Sequence, residues 1–220
     1  MDSKPTKEDS LRYFAGLLER NEEHARAHGA SYGALKSGQR PKVVIAFCSD
    51  SRLQTCIFGD SLDLVNNLFV GRDIGNTYSD SEGAVDYALR HLGVPVLFIM
   101  GHTGCGAAEA ARGDYAGETE AIRARLGRLK TGEDEAHDPE ANVDAQVGLA
   151  LRRYPEKVSS GDLVVIGGVF DLVGHYGGLP GKVYLTNLNG ATGVGRIKEG
   201  LSRCGAFPDG LLDATVRRLP

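Results

Sequence analysis

No apolar run in these 220 residues reaches the roughly 20 residues that cross a bilayer. No membrane span is therefore expected. Basic residues are not in excess. The 25 Lys and Arg face 29 Asp and Glu, a net charge of −4, so neither nucleic acid nor an anionic membrane is expected as a partner. Cysteine is scarce: Cys48, Cys56, Cys105 and Cys204. The start, MDSKPTKEDS, is polar and acidic, unlike a signal or transit peptide. A cytoplasmic location follows as an expectation, and thiols stay reduced there. The four cysteines then read as ligands or plain thiols, not as a disulfide framework. Fixed-period repeats and low-complexity tracts are missing too. So is the glycine fingerprint of a dinucleotide-binding fold, since the first strand runs into CSDSRL, which argues against a nicotinamide-dependent dehydrogenase.

What is present suits one globular domain. The chain is 41% apolar and 25% charged, and it is long enough for one well-buried core. We expect a single domain over residues 1–220, with a frayed tail to Lys7 and a helical arm over about residues 9–27. In that arm Leu11, Phe14, Leu18 and Ala25 recur at helical spacing. Buried strands are expected at Val43–Phe47, Leu62–Val70, Val94–Met100 and Leu163–Gly168, with a shorter one at Lys182–Leu185. Helices are expected over residues 81–92, 106–112, 118–130 and 141–154, with Gly93 closing the first of them. Alternating strands and helices predict an α/β fold with a mostly parallel central sheet.

Two strand ends carry the chemistry. KVVIAFCSDSR runs from an apolar strand into Cys48, Asp50 and Arg52, and VPVLFIMGHTGC ends in His102 and Cys105. Sites in open α/β sheets form beyond the carboxyl ends of strands. A lone cysteine there is usually a small buried hydrophobe, and a lone H-x-x-C is weak. The joint pattern of C-x-D-x-R after one buried strand and G-H-x-x-C-G after another is far more specific. Two thiolates and one imidazole favour zinc over magnesium or calcium. Three protein ligands with one open position is the pattern of catalytic zinc. Asp50 and Arg52 alone would read as a surface ion pair of little worth. Flanking a ligand, Arg52 can clamp Asp50 bidentately and keep it ionised. Asp50 then either accepts a hydrogen bond from water on the metal or itself becomes the fourth ligand.

At these residues the chain resembles the β-class carbonic anhydrases. GQRPKVVIAFCSDSR, FVGRDIGN, GAVDYALRHLGV and GHTGCG carry the resemblance, which is close over roughly Gln39–Gly106. It implies one zinc per subunit, held by Cys48, His102 and Cys105, and reversible hydration of carbon dioxide to bicarbonate by zinc-bound hydroxide. It implies Asp50 and Arg52 as the working pair, and Gln39, nine residues before Cys48, as a pocket residue that orients substrate. It places Phe69 and Tyr87 in the pocket of a neighbouring subunit, with Ile74 and Gly106 at further pocket positions. A homodimer, or a homotetramer built from it, follows. For Phe69 and Tyr87 the sequence alone favours ordinary core packing. Two thiolates should make this zinc a weaker acid than three imidazoles would, and move activity to higher pH.

The chain also departs from that family. LQTC stands where a proline is usual after C-x-D-x-R, and Asp73 stands where asparagine is usual. The loop to Phe69 is slightly long, and past Gly106 the match fades. A hydrolase of carbonyl sulfide or carbon disulfide on the same fold is the nearest rival. A non-catalytic zinc protein, closed by Asp50, is the other.

Overall fold

The computed structural model describes residues 4–59 and 61–220. They group into two compact units, one ending at Gln39 and the other spanning Arg40–Pro220. The first is a single long helix, α1 (Lys7–Gly33), longer at both ends than the pattern predicts. Thr6 accepts the backbone N–H of Asp9 and caps it, which is why the helix begins at Lys7, inside the expected tail. Its Leu11, Phe14 and Leu18 stay exposed, because a lone helix offers them no cover of its own.

The second unit contains, in order, β1 (Val43–Cys48), α2 (Ser61–Leu64), β2 (Leu68–Asp73), α3 (Glu82–Asp86), β3 (Val96–His102), α4 (Gly106–Arg112), α5 (Glu120–Leu126), α6 (Asp138–Arg153), α7 (Pro155–Ser159), β4 (Val164–Asp171), β5 (Lys182–Leu188), α8 (Val194–Ser202) and α9 (Asp209–Thr215). The strands form one sheet in the order β2-β1-β3-β4-β5. Four are parallel and β5 is antiparallel to β4. The expected α/β fold with a mostly parallel sheet is the one observed. Among the described residues no helix is long and apolar enough to cross a membrane.

Strand alternation divides the core. Val44, Ala46, Leu97, Ile99, Val165 and Val169 face one way, against Val143, Val147 and Ala150 of α6 and Val85 of α3. Ile45, Phe47 and Met100 face the other way, with Leu53 and Phe170. Gly167 of β4 sets how closely α6 can lie. A Cβ on Gly167 would stand 2.6 Å from Val143 Cγ1 and 2.8 Å from Asn187 Cβ, so only glycine lets the layers meet there.

Several boundaries differ from expectation. The stretch Leu62–Val70 is not one strand. Asn66 takes a positive φ of 64°, and the Asn67 side chain donates to Asp63 O. This asparagine turn delays β2 to Leu68, which then continues past Gly71 to Asp73 in register with Cys48. The polar RDIGNTYSD segment is not an open loop, because Asn76, Thr77 and Tyr78 are buried in two 3₁₀ turns. α3 runs into a π turn, Tyr87–His91, and Gly93 closes it at φ 68°. No helix is expected at α8 or α9, although Val194, Ile197 and Leu201 stand at helical spacing; the two helices cover β5 through Ile197, Leu201, Leu212 and Val216.

Candidate metal centre

β1 and β3 lie side by side at the centre of the sheet, while β2 follows β1 on its far side. The direction of strand addition therefore reverses between β1 and β3, which is where open α/β sheets make their crevice. Cys48 ends β1 and His102 ends β3. Cys105 stands at the N-terminal boundary of the short helix α4. The chain folds these three together, and their ligand atoms all lie within 4.8 Å of one another.

The donor set suits a metal ion. His102 is 1% exposed and its Nδ1 hydrogen-bonds to Thr103 O at 3.0 Å. Its Nε2 is buried without a hydrogen-bond partner, an arrangement that otherwise carries a desolvation cost. Cys48 Sγ accepts the backbone N–H groups of Gly75 at 3.3 Å and Asp50 at 3.4 Å. The two thiols act on each other. The hydrogen bond from Cys105 is the main cause that pulls the Cys48 thiol far down, against burial, while Cys48 and burial push Cys105 up. The group can hold a metal ion.

Asp50 and Arg52 stand beside it. Arg52 donates Nε to Asp50 Oδ1 at 2.9 Å and Nη2 to Oδ2 at 2.6 Å, and its backbone N–H reaches Oδ1 at 2.9 Å. The Arg52 side-chain bonds are the largest influence on this carboxyl and, against its burial, hold it down at about 2. The same Nη2 also donates to Gly104 O at 2.9 Å. Asp50 Oδ2 lies 3.9 Å from His102 Nε2.

The remaining expected positions are spread out. Ile74 is 40% exposed, directly after β2, and Gly106 opens α4. Phe69 pairs with Val44 while Asp73 pairs with Cys48. Four strand residues, about 13 Å at 3.3 Å each, therefore separate Phe69 from the metal end of its own chain. Tyr87 is 47% exposed and its ring lies 6.1 Å from Phe69 and 5.4 Å from His91. Core packing, which sequence alone would favour, does not describe Tyr87. Gln39 is exposed and ends the N-terminal unit.

Arg72 was not singled out by the sequence. It donates to the carbonyls of Cys48 at 3.0 Å, Asp50 at 2.9 Å and Leu53 at 2.8 Å, and it lies over the Phe47 ring at 4.6 Å. One guanidinium thus staples the turn that carries Cys48, Asp50 and Arg52. The only signal for it was an arginine near the end of the strand that neighbours β1.

Residues 43–174 match the family model described as Carbonic anhydrase. The chain belongs to the β-class carbonic anhydrase family. Similarity to Carbonic anhydrase 2 of Mycobacterium tuberculosis is 33% identity over 109 residues, 49% of this chain and 50% of that protein. The chain spans about half the length of the curated relatives it matches. Among solved β-carbonic anhydrases, CcaA superposes with a TM-score of 0.66 at 25% identity, over 81% of this chain and 87% of that one. A β-carbonic anhydrase of Sordaria macrospora, one of two described as tetrameric, gives 0.65 at 23% identity, over 80% and 96%. That second likeness bears on the fold alone.

Proposed function

We propose that this β-class carbonic anhydrase chain is a zinc enzyme that interconverts carbon dioxide and bicarbonate. The observation that carries the reading is the buried, unpartnered Nε2 of His102 facing two sulfurs. Cys48, His102 and Cys105 would hold one zinc, and binding it as thiolates would release thiol protons. Zinc there supplies an acidified water as nucleophile near neutral pH, an effect best known from the three-histidine carbonic anhydrases.

The chain's own groups do the rest. Asp50, ionised throughout the physiological range, accepts a hydrogen bond at Oδ2. Arg52 keeps that carboxylate in one rotamer and occupies both of its oxygens. Arg72 fixes the turn beneath them. Gln39 orients a substrate oxygen. Phe69 and Tyr87 reach the pocket of a second copy, keep it apolar and exclude water, and Ile74 and Gly106 complete its wall. The active unit is then a homodimer or a homotetramer.

A non-catalytic zinc protein closed by Asp50 is the second reading. The Arg52 clamp speaks against it, because a carboxylate held on both oxygens must break two charge-assisted bonds to become a ligand. Stopped-flow hydration of carbon dioxide on protein of measured zinc content tests the proposal. Hydration that scales with zinc content supports it. Zinc-loaded protein with no hydration at any pH refutes it, and turnover of carbonyl sulfide or carbon disulfide alone would move the reading to the hydrolases.

A further inference from the structure

We propose that Asp171, acting through Thr103, is a positioning residue for the metal centre. The inference rests on Cys48, His102 and Cys105 holding a metal.

Asp171 ends β4 and is 0% exposed. Its Oδ1 accepts the hydroxyl of Thr103 at 3.0 Å and the backbone N–H groups of Gly174 at 2.9 Å and His175 at 3.0 Å. Its Oδ2 accepts the N–H of Tyr176 at 2.9 Å. Both oxygens must accept, so only a carboxylate satisfies every donor. An amide would turn an NH₂ group toward an N–H. Such a buried group is tolerated because all its partners are in place.

Thr103 passes this order on. Its hydroxyl donates to Asp171 and accepts the Val173 N–H at 3.1 Å, so both its orientation and its rotamer are set. Its backbone N–H bonds Phe170 O at 3.1 Å. Its carbonyl then takes the Nδ1–H of His102 at 3.0 Å. That bond selects the tautomer whose free lone pair is on Nε2, the atom turned toward the sulfurs. A second branch reaches Arg52. Gly104 has φ 64°, and a Cβ there would lie 3.2 Å from Val173 Cγ1. Val173 therefore backs the peptide whose carbonyl anchors Arg52 Nη2. One buried carboxylate orders both the imidazole ligand and the anchor of the Asp50 clamp.

A residue that only builds the β4–β5 turn would alter stability and leave the metal's surroundings alone. The Thr103 variants separate the two roles. Thr103→Val is nearly isosteric and removes the hydroxyl; Thr103→Ser keeps it. The readouts are zinc release to a chelator and the absorption spectrum of the Co²⁺-substituted full chain. Thermal unfolding is followed alongside. Thr103→Val is expected to release zinc about 10–100-fold faster, the scale for lost outer partners of a metal ligand, with a changed Co²⁺ spectrum. Thr103→Ser should restore both. Asp171→Asn, where it folds, should match the valine variant. Wild-type release and an unchanged spectrum in Thr103→Val overturn the proposal. Valine-like behaviour in Thr103→Ser does so as well. If wild type takes up no stoichiometric zinc, the metal reading itself falls, and this inference with it. Zinc-loaded wild type with an indistinguishable valine variant removes only the positioning role.

Discussion

Arg52 grips both carboxylate oxygens of Asp50, at 2.9 and 2.6 Å, and leaves Oδ2 3.9 Å from the free nitrogen of His102. In the proposed zinc site the carboxylate would contest the open position, and the clamp would restrain it from taking it. Asp50→Asn should keep zinc and lose about 100-fold or more in hydration rate, the lower end of what a positioned proton acceptor contributes. Arg52→Ala should keep zinc, become inactive and show four protein ligands in X-ray absorption. Wild-type hydration across the alkaline range in either variant would reject this division of labour.

The metal assignment separates the four cysteines. Cys48 and Cys105 belong to the cluster, whereas Cys56 and Cys204 are exposed. Elemental analysis should give about one zinc per chain for the wild type, Cys56→Ser and Cys204→Ser. Cys48→Ser and Cys105→Ser should lose most of theirs. Equal loss from all four would contradict the assignment.

The cluster was legible because each half sits at the end of an apolar run, where a strand must stop and a crevice opens. Cys48, Asp50, Arg52, His102 and Cys105 are local signals of that kind. Arg72 and Asp171 are not. Arg72 reaches backbone carbonyls and Asp171 the Thr103 hydroxyl of another segment, and neither periodicity nor motif spacing encodes such pairings. The late start of β2 has a similar cause. Leu62–Val70 is apolar enough for a strand, and only the left-handed Asn66 diverts it. The antiparallel run of β5 depends on how the last segment finds an uncovered edge, which is a tertiary outcome.

Gly75 joins the backbone to the sulfur site. It holds φ 71° while its N–H reaches Cys48 Sγ at 3.3 Å, and a Cβ would stand 2.6 Å from Leu129 Cδ2. Gly75→Ala should cost about 1–2 kcal/mol in left-handed backbone strain, before Leu129 is displaced. A fall of several degrees in Tm is the expected result. An unchanged Tm would mean that the turn relaxes freely.

Asp86 gives the fold an acid-sensitive tie. Burial raises its pKa, but donors from Arg90, Arg153 and Tyr154 outweigh that and bring it to about 2. The contacts are 2.8 Å from Arg90 Nε, 2.9 Å from Arg153 Nη2 and 2.8 Å from the Tyr154 hydroxyl. A folded pKa below the unfolded value means stability that is complete above about pH 4 and lost as the pH falls toward 2. The Tm of Asp86→Asn should lie below that of wild type at pH 7, and the gap should close between pH 4 and 2. A gap that is constant with pH would assign the loss to packing.

The proposed sharing of pockets between copies has a test that no single variant supplies. Phe69 lies about 13 Å along the strand from its own Cys48, so within one chain it is remote from the candidate metal site, and the Tyr87 ring lies tilted beside it at 6.1 Å. If these rings serve a second copy, two defects can cancel. A Cys48→Ser chain lacks metal but still offers Tyr87 to its neighbour. A Tyr87→Ala chain keeps its metal but offers its neighbour no ring. Each alone forms only impaired homodimers. In a mixed dimer the Tyr87→Ala chain's metal faces an intact ring from the Cys48→Ser chain, and one site of the two is whole. Co-refolded mixtures should therefore exceed the mean activity of the two parents, approaching one quarter of wild type at equal amounts, since half of the dimers are mixed and each has one good site. Activity equal to the parental mean at every ratio would place both rings in their own chain's architecture and remove the dimer from the mechanism.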